Sequence, residues 1–299
     1  MLPPSPLQLL RHPAALRAGV TLYCKRDDQY AWDPGSPLQG NKVRKLWPLL
    51  SRGDGVGRSV VSFGGAFSNH VAALAAAGAR LGFSTRLFIR GEPVDNPTLR
   101  SAVDHGAELH FLSRTDYRRK DDPLFLRHLG VRASDVVIPE GGSGAESLTY
   151  AGKAFSETVD QLGGRPPDHF CLSAGTGGTA AGVIVAAAGT PCTVEVFPAL
   201  RGDWMGDEIS RRLAGYPYNE RYRVITAYHF GGYGRFSPDW RLYTPPGAVA
   251  KRADIGEEGL PELEPVYTAK LFHGVLDRIR AGVYSPGATI VVLHTGGIY

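Results

Sequence analysis

Short β-branched runs alternate with longer stretches of helical character along most of the chain. Ser59-Val60-Val61-Ser62-Phe63 predicts a strand, closed on its far side by Gly64-Gly65, and the Ala/Leu-rich stretch from Ala72 to Leu81 predicts the helix that follows. Thr85 to Ile89 reads as the next strand and Pro97 to His105 as the next helix. Glu108 to Leu112 and Val136 to Ile138 are strand-like again. His169 to Leu172 then leads through glycines to a helix over Thr179 to Ala188, and Thr193 to Phe197 and Ala288 to Leu293 are further strands. Strands alternating with helical patterns predict an α/β protein with mainly parallel sheets. Gly/Pro-rich stretches at 139–144, 163–167 and 245–247 read as connections. The 201–265 stretch follows neither period. Its aromatics (Tyr216, Tyr218, Tyr222, Tyr228, Phe230, Tyr233, Phe236, Trp240 and Tyr243) are expected mostly in the core.

Composition narrows the class without naming a function. At 299 residues, 43% hydrophobic and 21% charged, the chain has the make-up of a globular protein large enough for two lobes. The net charge of +4 is spread along the sequence, with no dense basic block interleaved with aromatics, so no nucleic-acid partner is expected. Cys24, Cys171 and Cys192 stand far apart, without metal-ligand spacing. They read as buried, reduced thiols, and no metal is expected. Prolines interrupt the N-terminal segment Met1 to Pro6, which lacks a signal-peptide pattern, and no run approaches the length needed to span a bilayer. A cytoplasmic protein without a membrane partner is the expectation.

Three segments carry candidate chemistry. In Gln39-Gly40-Asn41-Lys42-Val43-Arg44-Lys45-Leu46 a Gly-Asn turn presents Lys42 at the start of an apolar-periodic segment formed by Val43, Leu46, Trp47 and Leu50. An imine-forming lysine needs a fixed backbone and a pocket that holds its amine neutral, although a solvated lysine at a helix start has the same local sequence. Ser173-Ala174-Gly175-Thr176-Gly177-Gly178-Thr179 follows a strand and opens a helix. Its glycines let amides converge on a phosphate; a tight turn without a ligand is the plain alternative. The run Gly175 to Ala180, with Glu195 downstream, also fits a degenerate dinucleotide fingerprint, which keeps a nicotinamide enzyme open. In Phe63-Gly64-Gly65-Ala66-Phe67-Ser68-Asn69-His70, Ser68 and Asn69 stand at a helix start. They serve there as an N-cap or as a cradle for a substrate carboxylate. An amine, a carboxylate site and a phosphate anchor are together what a pyridoxal-phosphate enzyme must supply.

With these segments the chain resembles the family of 1-aminocyclopropane-1-carboxylate deaminases and D-cysteine desulfhydrases, pyridoxal-phosphate enzymes of the tryptophan-synthase-β-like fold (fold type II). The resemblance runs almost end to end. It is carried by Lys25-Arg26-Asp27-Asp28, Gly40 to Leu46, Ser68-Asn69-His70, Pro139-Glu140-Gly141-Gly142-Ser143, Gly175 to Thr179, Pro265-Val266-Tyr267-Thr268-Ala269-Lys270 and His294-Thr295-Gly296-Gly297. The helix after His70 departs from it, continuing as Val71-Ala72-Ala73-Leu74 without the basic or amide residues often found there.

The resemblance implies two lobes, residues 47–150 forming a smaller open-sheet lobe and residues 1–46 with 151–299 a larger cofactor-anchoring one. It implies pyridoxal 5'-phosphate as cofactor, a small amino acid as substrate and a homodimer as the assembly. Lys42 would form the imine and move the Cα proton. Asn69 would hold the cofactor's phenolate oxygen, and Ser68 the substrate carboxylate. His70 would stand nearby in the substrate site. Gly175, Thr176, Gly177, Gly178 and Thr179 would bind the phosphate. Tyr267 would lie over the ring or beside the leaving group, and Thr268 and Thr295 are candidates to face the pyridine nitrogen. Ring-opening relatives carry a glutamate directly after the tyrosine, where this chain has Thr268. That favours α,β-elimination from D-cysteine over cyclopropane deamination. A nicotinamide oxidoreductase and a non-catalytic pyridoxal-phosphate carrier remain as alternatives. Tyr233 is read as a core aromatic, and His294 as a strand-end histidine satisfied by backbone.

Overall fold

A computed structural model of the chain describes residues 2–235 and 260–297. From the N-terminus the chain runs β1 (Leu7–Leu10), α1 (Pro13–Ala18), β2 (Thr21–Arg26), α2 (Asn41–Arg52), β3 (Ser59–Gly65) and α3 (Asn69–Leu81). It continues through β4 (Ser84–Arg90), α4 (Pro97–Asp104), β5 (Glu108–Leu112), α5 (Arg114–Tyr117), α6 (Pro123–His128), β6 (Val136–Ile138) and α7 (Ala145–Gln161). The remainder is β7 (His169–Ala174), α8 (Gly178–Ala186), β8 (Thr193–Pro198), α9 (Met205–Leu213), β9 (Tyr222–Val224), α10 (Thr268–Arg280) and β10 (Thr289–His294).

Two sheets organise these elements. One has the strand order β1-β2-β10-β7-β8-β9, and the other β5-β4-β3-β6. All pairings are parallel except β1 with β2. The near-continuous apolar strands follow from this, because a parallel sheet flanked by its crossover helices is buried on both faces. Val60 and Val61 on β3, and Ile290 to Leu293 on β10, have no accessible surface. The Ala-rich α3 is likewise buried from Val71 to Ala75. Small side chains let it pack closely on β3 and β4 and on α2 and α4. It ends at Gly82, which takes a left-handed cap conformation.

The predicted alternation is present, with several elements extended by one to three residues. Six helices among the described residues, α1, α5, α6, α7, α9 and α10, escaped the sequence reading, and α7 and α10 are the longest of them. α7 mixes polar and apolar residues around Gly152, and α10 follows the unreadable stretch at 201–265. The expectation that the aromatics of that stretch are mostly core is corrected. Tyr216 and Tyr218 are 37% and 42% exposed, and Tyr233 lines a cavity. Between α9 and residue 235 the chain is mostly turns and loop, which offer no continuous apolar face to bury rings against. Phe236, Trp240 and Tyr243 lie outside the described residues.

Candidate active site

The start of α2 is held on both flanks. Gly40 has φ +65°, and a Cβ there would lie 2.1 Å from the carbonyl oxygen of Thr295, so only glycine allows the end of β10 to come this close. Asn41 donates its amide N–H to that same carbonyl at 3.2 Å and its side-chain Nδ2 to Thr179 Oγ1 at 3.0 Å. The turn before Lys42 is therefore tied to two other elements. One turn further on, the buried Arg44 donates to Asp27 at 2.8 Å and to Glu157 at 2.7 Å, and it stacks on Tyr30 at 4.1 Å. Removing one partner of such a pair would leave a buried charge exposed to no counter-ion, so the network resists displacement of the helix. Lys42 lines a cavity of about 810 Å³. Burial lowers its ammonium to about 8 against the opposing pull of Glu264.

The Gly-rich turn between β7 and α8 borders the same cavity. Gly177 caps α8 at φ +74°, and the amides of the first helical turn have no acceptor within the helix. A Cβ on Gly178 would lie 2.4 Å from Ser143 Oγ and 3.3 Å from Lys45 Nζ. Lys45 donates to Ser143 Oγ at 2.6 Å, and Ser143 Oγ is 2.9 Å from Thr176 Oγ1. Burial, with the charges of Lys42 and Arg212, drives the Lys45 ammonium well below its usual range. No carboxylate among the described residues pairs with Lys42 or Lys45 at ion-pair distance. Lys45, two hydroxyls and a helix start thus converge where a glycine leaves room, with Lys42 on the same cavity. A phosphate dianion would supply the missing counter-charge, so the residues present fit the phosphate of pyridoxal 5'-phosphate.

Across the cavity, Ser68 occupies the N-cap position of α3, yet its side chain makes no capping bond. Its hydroxyl remains available to the cavity, which Asn69 also lines. His70 sits just behind. Ser62 Oγ donates to Ile138 O at 2.8 Å, so at 2.8 Å from His70 Nε2 it must accept from that nitrogen. Burial and the neighbouring lysines push the pKa of His70 well down, so the ring is neutral and its Nδ1 is a buried acceptor without a partner. Tyr267 lines the cavity at the start of α10, 3.0 Å from where a Cβ on Gly175 would lie. Tyr233 packs edge-on to it at 6.1 Å between centroids. Burial raises both phenols, so both are neutral at ordinary pH.

The structure therefore gathers Lys42, Ser68, Asn69, His70, Tyr267 and Thr295 around one cavity with the run Gly175 to Thr179. Thr268 stands apart. It is fully buried, and its hydroxyl donates to the Glu264 carbonyl at 3.0 Å, so Thr295 is the threonine that lines the cavity. His294 is satisfied by backbone, as expected, with Nε2 on Glu262 O and Nδ1 accepting from the Gly296 amide. Tyr233 belongs to the cavity and not to the core. Sequence reasoning gave no role to Lys45 and Ser143, although both lie in recognised motifs, and it missed Glu264. The Glu264 carboxylate accepts the amides of Val266, Tyr267 and Thr268, the arrangement of an acid capping a helix start. An acidic residue four positions before a helical run was the available signal. Glu195 does not serve a ribose. It is buried on β8 and bound to Tyr284 at 2.7 Å, and to His169 and Arg278 at 3.2 Å each.

A two-sheet α/β frame with a half-buried, desolvated lysine on the same cavity as an anion cup defines a pyridoxal-phosphate enzyme. The family model described as "Pyridoxal-phosphate dependent enzyme" matches residues 2–199, and the chain belongs to that family. A Thermotoga maritima protein named "Putative 1-aminocyclopropane-1-carboxylate deaminase" is 31% identical, over 100% of this chain and 95% of its own length. The Arabidopsis thaliana mitochondrial "Bifunctional D-cysteine desulfhydrase/1-aminocyclopropane-1-carboxylate deaminase" is 27% identical, over 99% of this chain and 76% of its own. A crystal structure described as an ACC deaminase homologue superposes with a TM-score of 0.79 at 25% identity, covering 99% of this chain and 90% of that one. The fold is fold type II and the cofactor is pyridoxal 5'-phosphate. Among the described residues no helix is long and apolar enough to cross a membrane.

Proposed function

We propose that this enzyme performs α,β-elimination on a small amino acid, with D-cysteine as substrate: D-cysteine and water give pyruvate, hydrogen sulfide and ammonia. The observation that carries the reading is the neutral residue after Tyr267. Thr268 brings no carboxylate to the cavity and spends its hydroxyl on Glu264 O. Without an acid to hold a proton on the pyridine nitrogen, electron withdrawal is weaker, which suits a reaction whose leaving group departs readily more than it suits opening a carbon ring.

When bound, the cofactor supplies a carbonyl carbon for amines and a ring that withdraws electrons from Cα. The cup formed by Gly175 to Thr179, with Lys45 and Ser143, would hold its phosphate. Asn69 would meet the phenolate oxygen, and Thr295 would answer the ring nitrogen. Ser68 and the α3 amides take the substrate carboxylate, which orients the Cα–H bond toward Lys42. An amine lowered to about 8 is a competent base near neutral pH, and Lys42 removes the Cα proton. Tyr267 and Tyr233, both neutral, are placed to hydrogen-bond the β-substituent as it leaves.

Ring-opening deamination is the second reading, favoured by the name of the Thermotoga maritima relative. Purified enzyme given D-cysteine, L-cysteine and 1-aminocyclopropane-1-carboxylate separately decides between them. Sulfide from D-cysteine alone is expected. 2-Oxobutyrate from the cyclopropane substrate without sulfide would replace the proposal with the second reading. No product from any of the three would leave a cofactor-binding protein without this activity. Lys42→Ala should lower turnover by more than ~10³-fold and abolish borohydride trapping of the cofactor. Retention of either would remove Lys42 from its role.

A further inference from the structure

Three cations lining the cavity, Lys42, Lys45 and Arg90, have no carboxylate at ion-pair distance among the described residues, and the cofactor answers only the first two. Lys120 lies 3.3 Å from Asp121 and 3.6 Å from Glu140, so those two carboxylates share it. Glu208 is shared by Arg211 at 2.8 Å and Arg212 at 2.6 Å. Lys42 and Lys45 have the cofactor's aldehyde and phosphate to answer them. Arg90 also lines the cavity and pairs with no carboxylate among the described residues. A guanidinium stays ionised throughout the working pH range.

Its position is built by the sheet. Arg90 is the last residue of β4 and the register partner of Gly65, from which the chain leaves β3 toward Ser68. It therefore stands one strand away from the carboxylate cradle, at the same carboxyl edge of the sheet. Its guanidinium lies 5.7 Å above the Tyr117 ring, a contact that steadies the side chain without neutralising it. Tyr233 and Tyr267 feel its charge, which opposes the effect of burial on both phenols. Arg90 lines the cavity with an exposed side chain whose charge reaches the two tyrosines, so it is open to a substrate's β-substituent once Ser68 and the α3 amides take the α-carboxylate.

We propose that Arg90 is a specificity-determining residue, and that the site favours small amino acids whose β-substituent is negatively charged, such as a thiolate, a sulfonate or a phosphate. This rests on the amino-acid reading of the cavity and adds the chemical class of the side chain. Cysteine meets the requirement as its thiolate, the form a neighbouring guanidinium stabilises.

The test is a spectral titration of the cofactor-loaded enzyme with cysteate, which carries a sulfonate, and with 2-aminobutyrate, a neutral amino acid of similar size. Both enantiomers of each are used. Wild type should bind cysteate at least roughly tenfold more tightly, the value of one charge-assisted hydrogen bond. Arg90→Gln should erase that preference by weakening cysteate alone, and Arg90→Lys should restore part of it. Equal binding of the two ligands by wild type overturns the proposal, as does binding of neither. A preference that survives in Arg90→Gln also overturns it. Equal weakening of both ligands would place Arg90 on the α-carboxylate and overturn it as well. Because binding is read from the first spectral change, before any sulfite is released from cysteate, failure to release sulfide from cysteine would sink the elimination reading and leave this result standing.

Discussion

Two strand-to-helix turns of this protein are built alike and offer different chemistry. One joins β3 to α3 through Gly65 and Ser68, and the other joins β7 to α8 through Gly175 and Gly177. Both lie at the carboxyl ends of parallel strands, where open α/β sheets place their ligands. The first has Ser68 at the N-cap in an extended conformation, with φ −84° and ψ 111°, and its hydroxyl is unspent. The second has Gly177 there at φ +74°, a conformation that favours glycine, with bare backbone around it. A side-chain hydroxyl gives a directed bond to a flat carboxylate. A glycine cup lets several amides close around a tetrahedral phosphate. The same supersecondary unit therefore sorts two anions by what stands at its N-cap.

Ser68→Ala breaks the comparison on the first side and carries the largest effect expected at either turn. It should lower kcat/KM by ~10²-fold or more while the cofactor's visible absorbance is kept. Loss of absorbance instead would make Ser68 a structural cap. Gly178→Val breaks the second side by placing methyl groups against Ser143 and Lys45. Overpacking of this kind should weaken cofactor binding by about 10- to 100-fold, measured by equilibrium titration of the cofactor-free protein.

Lys42 stands between the two turns, and its protonation gives the next prediction. Its folded pKa is lowered to about 8 from an ordinary value of 10.5. Only a minority of the amine is neutral at pH 7, and covalent attachment of the cofactor needs the neutral form. Uptake rate should rise about tenfold from pH 7 to 9 and level off above. A rate that keeps climbing about tenfold per pH unit beyond pH 9 would place the lysine in a solvated setting. The same shift makes the unfolded chain bind more protons between about 8 and 10.5, so the cofactor-free protein gains stability as pH rises through that window. The smallest effect belongs to Thr179→Val, which removes the acceptor of Asn41 Nδ2 and loosens the tie between α2 and the cup. Cofactor affinity should fall by roughly 5- to 10-fold, the worth of one hydrogen bond.

Much of this was legible before any coordinates. The strand Glu108–Leu112 matches its predicted bounds, because period and β-propensity agree there and turn residues close it. The motifs at Lys42, at Ser68-Asn69 and at Gly175 to Thr179 were readable because each needs backbone freedom or a helix start that glycine and hydroxyl residues announce. Arg90 was not readable. As a residue it ends an ordinary strand, and only its register opposite Gly65 brings it to the cavity. Tyr233 was read as core because a tyrosine in an aperiodic aromatic stretch has no local mark that separates a wall from a core.

The sequence by itself determined the parallel α/β frame, the lysine, the glycine cup and the family, since these rest on local propensity and on short motifs in a set order. Only the tertiary structure decided which side chains share the cavity. It placed Thr295 there and Thr268 behind Glu264, tied Glu195 to Tyr284, and left Arg90 without a carboxylate partner among the described residues. Those outcomes depend on strand register and on burial of charge, and both are set by residues distant in the chain. Periodicity and spacing do not encode them.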